Sequence, residues 1–65
     1  MSLNSNPNIN RPDDFYQELI DTHRDLSEDQ SLAVNAKLIL LLANHIGDTD
    51  VLSEAMMIAK EEVSK

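Results

Sequence analysis

The run from Glu28 to Ile46 carries apolar residues around nearly its whole helical circumference, and this constrains the fold more than any other feature of the chain. Leu32, Ala36, Ile39, Leu40, Ala43 and Ile46 fall on one face at 100° per residue, and Val34, Leu38, Leu41 and Leu42 on an adjoining one. Only a narrow strip with Gln30, Lys37 and Asn44 is plainly polar. A helix that is apolar almost all round must be covered on most sides. At 1.5 Å per residue it is about 28 Å long. In a chain of 65 residues, little is left to cover it.

The ends of this helix are written into the sequence. Ser27-Glu28-Asp29-Gln30 fits a capping box, in which Ser27 and Gln30 satisfy each other's backbone donors. Gly47 supplies the left-handed residue that commonly closes a helix. A first helix is expected over about 12–24. Asn10 is its expected cap, Pro12 suits the first turn, and Asp13 and Asp14 oppose the positive end of the helix dipole. Phe15, Tyr16, Leu19, Ile20 and His23 share one arc of it, with Leu26 just beyond. Asp14, Gln17, Glu18, Asp21 and Asp25 take the other side. A third helix is expected over about 49–63, capped by one of Asp48, Thr49 or Asp50. Val51, Leu52, Ala55, Met56, Ile58, Ala59 and Val63 make its apolar arc, with Met57 on the polar side. Residues 1–11, with Asn at 4, 6, 8 and 10, read as a flexible arm ahead of a domain over 12–65. The fold class is therefore all-α: three helices around a long apolar central one. One glycine and two prolines fit that class.

Two flanking helices of this length cover roughly half of the central one. Leu32, Asn35, Ile39, Leu42 and Ile46 follow the 3–4 spacing of a helix–helix seam and are the candidate interface. The expected assembly is a helical-bundle homodimer, the commonest oligomer. A three-helix monomer in which the stripe packs only within the chain is the competing arrangement. With no cysteine, no disulfide reinforces a core this small, and no thiolate holds a metal.

Charge and composition exclude several functions. Twelve Asp and Glu against five Lys and Arg give a net charge of −7, which argues against nucleic acid as a partner. The longest uninterrupted apolar run, Leu38 to Ala43, is six residues, far short of the ~20 that span a bilayer. The opening residues have no basic or apolar signal-like segment, so a cytoplasmic location is expected. His23 and His45 lie on apolar arcs of different helices and form no metal-ligand set; no metal or other cofactor is expected. Phosphate-binding glycine loops and nucleophile elbows are absent, and the carboxylates fall on solvated helix faces. The chain does not read as an enzyme.

Asn35 sits in the middle of the apolar arc, where its amide must find partners. Its expected role is to bond a neighbouring backbone group or its dimer mate and fix register. In the alternative reading, Asn35 and His45 line the site of a small apolar or aromatic ligand in the bundle interior.

The stretch from Asn35 to Asp48, preceded by Leu26 to Ser31 and by Asp14-Phe15-Tyr16, resembles a family of small stand-alone proteobacterial proteins, domain of unknown function 2783. The resemblance covers about residues 13–60. It brings no activity, cofactor or catalytic residue. It does suggest an accessory partner of a flavin-dependent aromatic hydroxylase, beside which such chains are often encoded. The favoured expectation is a self-associating protein-interaction or accessory module.

Overall fold

In the computed structural model, residues 2–64 are described. Three helices follow one another: α1 (Pro12–His23), α2 (Glu28–Ile46) and α3 (Thr49–Val63), with no strand among the described residues. The chain is all-α.

The helix ends show how local chemistry sets these bounds. At the start of α2, Ser27 Oγ accepts from the Gln30 N–H at 3.1 Å, and Gln30 Oε1 accepts from the Ser27 N–H at 3.0 Å. This is a complete capping box. Gly47 ends α2 at φ 71°, its N–H donating to Ala43 O at 2.9 Å. Of the three expected cap residues, Asp48 serves α3: its Oδ1 accepts from the Asp50 and Val51 N–H groups at 3.0 and 3.2 Å.

α1 departs from expectation at both ends. Arg11, rather than Asn10, is the residue at its N-cap, and it offers no side-chain cap bond. Pro12 occupies the first turn and has no N–H to satisfy, so a cap has one donor fewer to serve there. The helix stops at His23. Arg24 turns extended, at φ −61° and ψ 135°. Asp25 then takes the left-handed region at φ 65°. The reversal is held by Arg24 N–H to Asp21 O and Leu26 N–H to His23 O, both 3.2 Å.

Residues 2–10 form no helix or strand. Leu3 is half-buried there, and its N–H donates to Glu54 Oε2 on α3 at 2.9 Å.

The three helices do not close over a core. None of the described residues is buried. Half-buried side chains mark where the elements meet: Leu19 and His23 on α1, Ser31, Val34, Leu38 and Ala43 on α2, and Val51, Leu52 and Ala55 on α3. The accessible surface is 6092 Å², whereas a folded monomer of 7.3 kDa exposes about 4,200 Å². The Cα radius of gyration is 13.5 Å, against about 10.7 Å for a compact 65-residue domain. The central helix is expected to be covered on most sides, and within one chain it is not.

Candidate functional site

Two features of α2 define the candidate site: an exposed apolar stripe and a polar cluster at its edge. Leu32, Asn35, Ile39, Leu42 and Ile46 fall within an arc of about 80° on the helix. The four apolar members expose from 51% (Ile46) to 64% (Leu32) of their surface, and Asn35 is exposed as well. The half-buried Ser31, Val34 and Leu38 lie on one flank of this arc, and half-buried Ala43 on the other. The candidate interface is thus an exposed strip between two half-buried flanks.

The cluster ties α1 to α2. The His23 ring spans two α2 side chains, with Nδ1 2.9 Å from Ser31 Oγ and Nε2 3.1 Å from Asn35 Oδ1. An amide oxygen only accepts, so Nε2 carries a proton and donates to Asn35, and Nδ1 shares the second bond with the Ser31 hydroxyl. Asn35 therefore finds its partner inside its own chain, on a side chain. His45 is exposed on the last turn of α2, away from this cluster.

Beside the cluster lies a groove of about 550 Å³, open to solvent and lined by Tyr16, Leu19, Ile20, His23, Arg24 and Asn35. A smaller groove of about 190 Å³ lies on the other side of α1, between Phe15, Glu18, Leu19 and Thr22 and the α2 residues Val34 and Leu38. Arg24 at the rim of the larger groove pairs with Asp21 at 2.7 Å in an exposed contact, of a kind that contributes little to stability. Of the two residues expected to line a ligand site, Asn35 lines the larger groove and His45 lines neither.

Among the described residues, no three His, Cys, Asp or Glu side chains are gathered as a metal site. No described helix is long and apolar enough to cross a membrane. The exposed apolar surface extends to α3, where Met56 and Met57 are both exposed, although only Met57 was placed on the polar side by its spacing.

These features define a small all-α chain whose apolar faces lie open. It belongs to the family described as Protein of unknown function (DUF2783), whose model matches residues 3–61. No curated protein and no solved structure matches it.

Proposed function

We propose that the protein is a self-associating protein-interaction module, a homodimer built on the stripe of α2, and that it carries no catalytic site. The observation that supports this reading is the missing core. A single chain exposes about 1,900 Å² more than a folded monomer of its mass. The exposed surface includes large apolar side chains such as Leu32, Ile39, Leu40, Leu41 and Leu42, and leaving them in water forfeits the main driving force of folding. Twice that excess, the area two copies would hide if pairing removed it all, falls within the ~2,000–5,000 Å² of obligate dimers.

The alternative, an apolar or aromatic ligand held in a bundle interior, finds less support. One chain has no closed interior, and the groove at Asn35 is open and lacks His45. An accessory role beside a flavin-dependent aromatic hydroxylase would use apolar side chains that the dimer leaves uncovered, such as the exposed Met56 and Met57 of α3.

Sedimentation equilibrium tests the proposal. The expected result is twice the chain mass at micromolar concentration. A compact, stable monomer throughout that range would overturn it.

A further inference from the structure

We infer that the second copy covers the groove side of α1 as well as the α2 stripe, so that Tyr16 and Ile20 of each chain are buried in the dimer interface. The inference rests on the self-association proposed above and adds the larger α1–α2 groove to its docking surface.

The stripe alone is too small for a stable dimer. Fully burying a Leu or Ile side chain removes on the order of 100 Å² from water. Leu32, Ile39, Leu42 and Ile46 are 51–64% exposed, so together they offer roughly 200–300 Å² per chain on that basis. An obligate homodimer buries about 1,000 Å² or more on each chain, of which about two-thirds is apolar. More than half of the apolar surface that such an interface needs therefore comes from outside the stripe.

The surface that continues the stripe is on α1. Asn35 belongs to both: it lies within the arc of the stripe, and it lines the larger groove with Tyr16, Leu19, Ile20, His23 and Arg24. The smaller groove opens on the opposite side of α1, onto the flank residues Val34 and Leu38. Tyr16 and Ile20 thus stand on the side of α1 that borders the stripe, and they are 64% and 46% exposed. An aromatic ring offers more area to bury than an aliphatic side chain. Tyrosine can also keep its hydroxyl at a wet rim while the ring is covered, which is why it is enriched at interfaces.

Charge selects the same surface for a second copy. The chain carries −7, and like charges set opposite each other across an interface oppose association. Of its twelve Asp and Glu, none falls in the stripe or in the lining of the larger groove, whose charged member is Arg24. The smaller groove includes Glu18. Two copies can close over the stripe and the larger groove without setting the carboxylates of one lining against those of the other.

Tyr16 is the single tyrosine and there is no tryptophan, so the intrinsic fluorescence reports on this groove alone. Acrylamide quenching is measured on the unsubstituted protein at a concentration where sedimentation gives the dimer, with N-acetyltyrosinamide as the exposed reference. The expected quenching constant is several-fold below the reference. A constant equal to the reference in a dimer would overturn the inference and leave self-association intact. Tyr16→Glu and Met57→Glu supply a second readout, since they replace side chains that are 64% and 66% exposed and so are equivalent in a lone chain. Y16E is expected to raise the dimer dissociation constant by about tenfold or more, as loss of a central interface residue does. M57E is expected to leave it unchanged, with the helical content of both variants checked by circular dichroism. Equal dissociation constants for the two would overturn the inference. A monomer by sedimentation for the unsubstituted protein would instead defeat the self-association reading itself.

Discussion

His23 and Asn35 are joined across the α1–α2 turn by a 3.1 Å hydrogen bond from Nε2 to Oδ1, while the other ring nitrogen meets Ser31 Oγ at 2.9 Å. With no buried core to fix the angle between the two helices, these two bonds do an unusual share of the positioning. A net hydrogen bond contributes roughly 0.5–1.5 kcal/mol. His23→Ala, which removes both, is expected to cost about 1–2 kcal/mol on that basis. A His23→Ala/Asn35→Ala double-mutant cycle in urea is expected to show a coupling of about 0.5–1.5 kcal/mol. Additive effects of the two substitutions would mean that the bond carries no net energy.

Gly47 is expected to resist replacement for backbone reasons alone. It stands at φ 71°, and a Cβ added there would meet nothing closer than Asn44 O at 3.8 Å. There is room for a methyl group but not for the left-handed conformation of an L-residue, which costs about 1–2 kcal/mol. Gly47→Ala is expected to lose about that much in chemical denaturation, and Gly47→Asn distinctly less, since asparagine visits this region more readily. An Ala variant as stable as the parent would show that the junction can be rebuilt as continuous helix.

Asp25 is the mirror case. It holds φ 65° with a Cβ attached, in the turn that aims α1 at α2. Asp25→Gly relieves the strain and is expected to be neutral or to stabilise by up to about 1 kcal/mol, whereas Asp25→Val is expected to cost more than 1 kcal/mol. Thermal melts of the three chains at one concentration check the order Gly, Asp, Val. Val as stable as Asp would mean the turn relaxes out of the left-handed region.

These residues also show what was legible in the sequence. The cap at Ser27 and Gln30 and the stop at Gly47 involve partners within four residues, so composition and spacing suffice to read them, whereas for α3 they left three cap residues open, of which Asp48 serves. Asp25 was assigned to the polar side of α1 because helical spacing continues through it. The helix stops earlier because the chain turns at Arg24 and Asp25, and turn geometry leaves no trace in a period of 3.6. His23 and Asn35 were each placed on an apolar arc, but their pairing depends on how α1 crosses α2, which neither helix encodes alone. The uncovered state of the stripe followed from simple covering: two short helices hide about half of a third.

The last prediction separates the self-association reading from a chain that stays alone, using neighbouring residues. Ile39 and Leu40 are equally open in the isolated chain, at 63% and 67% exposure. They differ only in direction: Ile39 is central to the stripe, and Leu40 points about 100° away from it. In a monomer, aspartate at either position would sit in water and cost about the same. In a dimer built on the stripe, Ile39→Asp drives an unpaired charge into the seam, a burial that costs several kcal/mol in practice, while Leu40→Asp leaves the seam intact. The expected outcome is that I39D sediments as a monomer or unfolds, and that L40D remains a dimer. The melting temperature of L40D is also expected to rise with protein concentration, because association stabilises only the folded chain. Equal behaviour of the two variants by sedimentation and by concentration-dependent melting would place the interface elsewhere or nowhere.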